Sequence, residues 1–221
     1  MPGSILDRTS RSQICTELRR SIIMGHRVPG ERLSVEQLAE SYGTSVTPIR
    51  DALQMLSEAG LVTIKPRSGY FITRITLKQL RDLLELREIL ELAAVRRAAN
   101  HITEAQLDAL KSVHAGYTGD DDESYDRYTQ ENRQFHYLIA QASGNQELSE
   151  MVAHLHDRLA RFMVICHAGE TMEKTHARII EALATQDAES AQQALQNELA
   201  ETRALLLERV IQKDGGSWLL D

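Results

Sequence analysis

Two groups of residues in this 221-residue chain are of types, and at spacings, that support specific chemistry. The first lies between Ser45 and Gly60. There Thr47, Arg50 and Gln54 recur at helical spacing and line one face with hydrogen-bonding groups. Val46, Ile49, Leu53 and Leu56 form an apolar stripe on another face. A guanidinium fork flanked by a hydroxyl and an amide can read base edges in a major groove. The second group is rich in nitrogen and oxygen donors. Asn132 and His136 are four apart, so on a helix both side chains leave one face. His176 lies beside the apolar pair Ile179–Ile180, and Glu198 lies in the last helical stretch. Arg87 stands one turn before Glu91, where it either pairs within its helix or points inward to clamp a carboxylate. His154 and His156 are two apart, cannot share a face, and read as surface or core histidines.

The elements that must position the first group are legible around it. Ser34 to Gly43 reads as a short helix with Ser34 and Gln37 as a capping box and Gly43 as its turn. Ser45 is a good N-cap for the next helix, Pro48 is tolerable in a first turn, and Gly60 is a good stop. Helix, tight turn and polar-faced helix make a helix-turn-helix. Leu61–Lys65 and Gly69–Thr73 are β-rich runs joined by Pro66-Arg67-Ser68, a hairpin whose basic tip forms a wing. Upstream, a helix over residues 10–25 offers Ile14, Leu18 and Ile22 to cover this core, after a loose tail at residues 1–9. Arg19 and Arg20 lie on its polar side.

From Thr76 the pattern becomes wholly helical. Thr76 caps a long helix to about Ala99 that carries Leu77, Leu80, Leu84 and Leu92. Thr103–Gln106 resembles a capping box for a helix stopping near Gly116, and an acidic loop follows to Glu123. Further helices are expected over residues 124–142, 147–167, 173–185 and 188–210, with a flexible tail from Asp214. No β-pattern follows Thr73. The fold class is mainly α: a winged helix-turn-helix of three helices and a hairpin (residues 1–74) joined to an all-α bundle (residues 75–221).

Charge distribution agrees with this division. The net charge of -7 argues against a nucleic-acid partner when taken alone. Residues 1–75, however, hold ten Lys and Arg against seven Asp and Glu, while the remainder holds 15 against 25. A basic head on an acidic body fits a separate DNA-binding domain. The two cysteines, Cys15 and Cys166, form no CxxC and fit a reduced cytoplasmic pair of packing residues. No apolar run approaches the roughly 20 residues of a membrane span, and the N-terminus lacks an apolar signal core. A cytoplasmic location without a membrane partner is expected.

Pro29–Leu33, Leu38–Ala39, Thr47–Leu53, Glu58–Val62 and Arg67–Gly69 resemble, in order and spacing, the winged domain of GntR-family transcriptional regulators. Leu86–Glu91, Asn132–His136, Gln141–Asn145, His176–Leu183 and Ala191–Leu199 resemble the all-helical FCD domain of the FadR-like branch. The resemblance covers nearly the whole chain. It implies a regulator whose bundle binds a small metabolite, usually a carboxylic acid, and forms a homodimer on a palindromic operator in double-stranded DNA. Ser45, Thr47, Arg50, Arg67 and Gly69 would meet DNA, and Arg87 would meet the effector.

Many members of that family hold a divalent metal with one Asp and three His. This sequence places Asn132 at the Asp and Glu198 at the third His, beside His136 and His176. The carboxylate has moved from the first ligand to the fourth, so the formal charge of the set is unchanged. Two imidazoles and two oxygens suit Zn, Mn, Ni or Fe(II) with positions open to an acid ligand. The alternative is a hydrogen-bonded polar core that has lost the metal. Two other functions remain. Metal itself could be the signal. His136, His176 and Glu198 also make the two-His-one-carboxylate set of a non-haem iron enzyme, although no cosubstrate motif accompanies it and a DNA-binding head would be unexplained.

Overall fold

A computed structural model describes residues 5–113, 119, 121–166 and 172–213, with only the backbone for residues 5–10, 172–174 and 213. The helix expected to stop near Gly116 ends earlier, at Ser112, where Val113 turns to extended backbone. The tail from Asp214 and most of the acidic loop lie outside the described residues. The chain divides into two compact units, Met1–Ile75 and Thr76–Asp221.

In the first unit α1 (Ile5–Ile23), α2 (Val35–Ser41) and α3 (Val46–Glu58) pack with a sheet of β1 (Arg32–Leu33), β2 (Val62–Lys65) and β3 (Gly69–Ile72). The sheet is antiparallel in the order β1-β3-β2, with Arg32 opposite Phe71 and Lys65 opposite Gly69. Strand β1 is absent from the sequence-based expectation because two residues are too few to show alternation. Helix α1 begins at Ile5 rather than near residue 10, so the expected tail is in part helical.

Ile14, Leu18 and Ile22 of α1 meet Leu38, Ile49, Leu53 and Leu56 in one buried cluster. Each such side chain contributes about 1.5–3 kcal/mol by leaving water. Val46 departs from the expected stripe: at the solvent end of α3 it stays 39% exposed. Ser34 caps α2 by accepting from Gln37 N at 3.2 Å, but its hydroxyl bonds Glu36 and the reciprocal half of the box is not made. Ser45 has the extended N-cap backbone, yet its side chain makes no capping bond. Gly43 supplies the turn between α2 and α3 with φ at +60°, a conformation that costs a side-chain-bearing residue about 1 kcal/mol or more.

The second unit contains α4 (Leu77–Ala99), α5 (Glu104–Ser112), α6 (Asp122–Ala142), α7 (Gln146–Ile165), α8 (Met172–Ala184) and α9 (Ala188–Lys213). Its described residues include no strand. The expected capping box Thr103–Gln106 is formed, and the expected Thr76 cap is a full box with Gln79. Helix α6 starts two residues before Ser124 because Asp121 accepts from Ser124 N at 2.9 Å and caps it. Val95, Phe135, Ile139, Ile179, Leu183 and Leu195 form the main core. The buried stripe of α4 runs through Leu80, Leu84, Arg87, Glu91, Val95 and Ala98. Two charged residues therefore sit in the middle of a core-facing helix. Their partners define the site.

Candidate functional site

In the first unit, α3 presents Thr47 and Arg50 to solvent, while Pro48, Ile49, Ala52 and Leu53 hold the helix to the core. Arg50 lines a groove of about 770 Å³ with Arg32 of β1, Lys65 of β2 and Arg67 of the wing, against one carboxylate, Glu36. Ser45 is exposed at the start of α3, beside Thr47, whereas Gly69 lies at the base of the wing tip. Arg67 takes a left-handed backbone with φ at +62°, held by the Ser68 N to Lys65 O bond at 3.0 Å. A non-glycine residue there costs on the order of 1–2 kcal/mol, and such conformations cluster at functional sites. Gly69, at +105°, serves by conformation: a Cβ there would make only ordinary contact with Arg32 at 3.7 Å. Arg32 was not among the sequence candidates, because only the short β1 pairing brings it to the wing.

The second unit gathers the other group. Arg87, Glu91, Asn132, His136, His156, His176 and Glu198 are all buried, and come from α4, α6, α7, α8 and α9. Arg87 makes the pair within its helix and also points inward, where it meets a carboxylate of the chain itself. Its Nε donates to Glu91 Oε1 at 2.7 Å, and its Nη2 donates to Glu198 Oε1 at 3.3 Å and lies 3.2 Å from His136 Nε2. His136 stands between two carboxylates, with Nδ1 2.7 Å from Glu91 Oε2 and Nε2 3.2 Å from Glu198 Oε1. The Nδ1 contact is an ion-pair distance out of line for a hydrogen bond. His176 Nε2 is 3.8 Å from Glu198 Oε2, and its ring stacks on Phe135 with centroids 3.8 Å apart.

Sequence reasoning missed two members, Glu91 as more than an ion-pair partner and His156. His156 Nε2 lies 2.8 Å from Glu91 Oε1, and its ring stacks on His136 at 4.5 Å. Asn132 turns its Nδ2 toward His156 Nδ1 at 3.4 Å. His154, two residues away, is exposed. The signal that separates the two histidines is the apolar spacing of Val152, Leu155 and Leu159, which places His156 on the buried side.

Burial pushes the His136 imidazole down, but Glu91 and Glu198 outweigh it and raise it to about 9. Burial pushes Glu198 up, but His136, then His176 and Arg87, hold it at about 2. Glu91 is likewise held well below the carboxylate range, against its burial, by Arg87 and the histidines. His156 is lowered to about 4 by burial and the Arg87 charge, and His176 to about 3 chiefly by burial. The centre therefore holds Arg87 and His136 as cations against two carboxylates, with two neutral histidines beside them.

Ligand atoms of His136, His176 and Glu198 lie within 4.8 Å of one another, as do those of Glu91, His136 and His156, so either trio could hold a metal ion. Asn132 Oδ1, both nitrogens of His176 and Glu198 Oε2 are buried without a hydrogen-bond partner. Orphaned buried polar atoms cost about 1–3 kcal/mol each, which a ligand to them recovers.

The FCD domain model matches residues 82–201, more than half of the chain, and the model of bacterial regulatory proteins of the gntR family matches residues 10–72. The chain belongs to the GntR family. The HTH-type transcriptional regulator YdhC of Bacillus subtilis is 30% identical over 190 residues, spanning 82% of this GntR chain and 84% of its own. The HTH-type transcriptional repressor RspR of Escherichia coli is 29% identical over 212 residues, 93% of this chain and 92% of its own. The structure of E. coli McbR/YncC matches with a TM-score of 0.72 at 24% identity, over 90% of this chain and 98% of that one, and shows the shared fold. This GntR protein is thus a DNA-binding transcriptional regulator of the FCD type. No described helix is long and apolar enough to cross a membrane.

Proposed function

We propose that this regulator binds a palindromic operator as a homodimer and that a small carboxylic acid, bound beside a divalent metal in the FCD unit, modulates that binding. Two-fold protein symmetry calls for two-fold operator symmetry. A DNA partner places the protein in the bacterial cytoplasm. Thr47 and Arg50 read bases from α3, Ser45 and Gly69 support the backbone approach, and Arg67 reaches along the wing.

The observation that carries the metal is the orphaned set. Asn132 Oδ1, His176 Nε2 and Glu198 Oε2 lack hydrogen-bond partners in a buried core whose fourth donor residue is His136. Those residues fit Zn, Mn, Ni or Fe(II). When bound, the metal supplies a Lewis-acidic position for the effector carboxylate. The chain's own residues do the rest. Glu91 orients His136, and Arg87 offers a planar fork to the acid. Effector can shift DNA affinity only by its differential affinity for the two arrangements of the dimer.

One observation favours the plainer reading in which metal alone is the signal. The cavity beside this centre, lined by Tyr128, Thr129, Asn132 and His156, measures about 10 Å³ and has room for roughly one water. Fluorescence anisotropy on an operator selected from random DNA, titrated separately with metal and with carboxylic acids, distinguishes the two. An acid effect only in the presence of metal supports the main reading. A full response to metal with none to any acid supports the plainer one. Insensitivity to both removes the metal from the account.

A further inference from the structure

Arg87 occupies an unexpected place for a residue that anchors an effector. Its Nη2 is within 3.3 Å of both His136 Nε2 and Glu198 Oε1, which are themselves 3.2 Å apart. His136 Nε2 is the ring nitrogen that faces Glu198, and Oε1 belongs to the carboxylate whose Oε2 stands without a hydrogen-bond partner. A metal held by His136 and Glu198 would therefore meet both groups. A guanidinium has no lone pair and cannot be deprotonated, so it cannot serve as a ligand. It competes with a cation for Glu198 Oε1 through charge, and it stands in the approach to His136 Nε2.

We propose that Arg87 is an internal competitor for the metal: its guanidinium head covers two metal donors, and its withdrawal from them frees the same head to bind an anion. This rests on the metal reading above. The withdrawal has a fixed pivot. Nε is held by Glu91 Oε1 at 2.7 Å, and the same oxygen is held by His156 Nε2 at 2.8 Å from another helix. The inner end of the fork stays tethered while the outer end changes partner. Once Nη2 has left Glu198, its buried positive charge lacks a counter-charge at that end, and burial makes such a loss costly. A small carboxylate restores it. Arg87 therefore makes metal and anion binding mutually dependent: without the anion it opposes the metal, and with the anion it tolerates it. Reciprocity then requires metal to tighten the anion by the factor with which the anion tightens metal.

The sign of one substitution tests this. Zinc is titrated calorimetrically into chelator-stripped full-length wild type, Arg87→Gln and Arg87→Lys, each with and without acetate as the probe anion. Without acetate, R87Q is expected to bind zinc about tenfold tighter than wild type or more. Acetate should tighten zinc on wild type and leave R87Q unchanged. A role for Arg87 in merely holding the site together predicts the reverse, a loss of zinc affinity on substitution. If R87Q fails to fold, R87K keeps a cation beside Glu91 but lacks the fork that reaches both donors, and it should still bind zinc tighter than wild type. A folded variant that binds zinc no tighter than a zinc-binding wild type overturns the competitor role and leaves the metal reading intact. Absence of zinc binding by wild type and variants alike overturns both.

Discussion

His136 Nδ1 lies 2.7 Å from Glu91 Oε2, so that the polar stripe of α6 meets the charge pair of α4 at a single imidazole. With Glu198 on its other nitrogen, His136 keeps its proton to about pH 9, above its ordinary value near 6.5. The stability it contributes is full below about 6.5 and is lost as pH rises through 9. His156 and His176 act in the opposite sense. With values lowered to about 4 and 3, they resist charging in the folded state, so stability falls as pH drops below about 6.5 through those values. Glu198, held at about 2, adds to the acid loss below its ordinary 4.5. We therefore expect the FCD unit of the chelator-stripped chain to melt at its highest temperature near pH 6.5. Between pH 6.5 and about 4.5 His156 and His176 act together on the acid side against His136 alone on the alkaline side, so the acid slope there should be about twice the alkaline one. It should steepen below about 4.5, where Glu198 and Glu91 join. Calorimetric melting from pH 4 to 10 checks it, and a flat profile across pH 6.5–9 would contradict the charge on His136.

Arg50→Ala should weaken operator binding by about 1–3 kcal/mol and relax selectivity at one base position, because Arg50 is exposed on the outer face of α3. Arg32→Ala and Arg67→Ala, across the groove, should weaken binding to every sequence alike and lower the salt slope by about one each. Anisotropy at several salt concentrations separates the two behaviours. Full wild-type affinity for R50A at moderate salt would remove it from the reading face.

The sequence carried the head almost completely, since its motifs are local. Stripe, cap, turn glycine and hairpin each span fewer than 20 residues. It missed β1, whose pairing with β3 joins residues almost 40 apart and leaves no periodic trace. In the bundle, the i,i+4 pair Asn132–His136 and the helix order were legible for the same reason. The sharing of Glu91 among Arg87, His136 and His156 was not, because it depends on how α4, α6 and α7 pack. An ion pair at i,i+4 looks the same in sequence whether it faces water or a core. Burial of Arg87 at 1% exposure is a tertiary fact.

The intact chain should sediment as a dimer at micromolar concentration. Ile89 on α4 is 59% exposed and Met151 on α7 is 48% exposed, an apolar display on two helices that pack together. Ile89→Asp should shift the chain toward monomer without loss of helical signal. A fragment ending at Ile75 should bind a half-site weakly, having lost the effective concentration that a second linked head supplies. Sedimentation velocity and anisotropy check both, and a monomeric intact chain would remove the palindrome from the account.

The metal is the claim on which the effector chemistry depends, and elemental analysis tests it most directly. Full-length protein purified without chelator is measured beside His136→Ala, each again after zinc is added back and excess is dialysed away. Wild type is expected to hold about one equivalent per chain and H136A close to none, with both heads still folded and binding DNA. Wild type without metal in both preparations would contradict the account and leave Arg87, Glu91, His136 and Glu198 as a self-sufficient ion network.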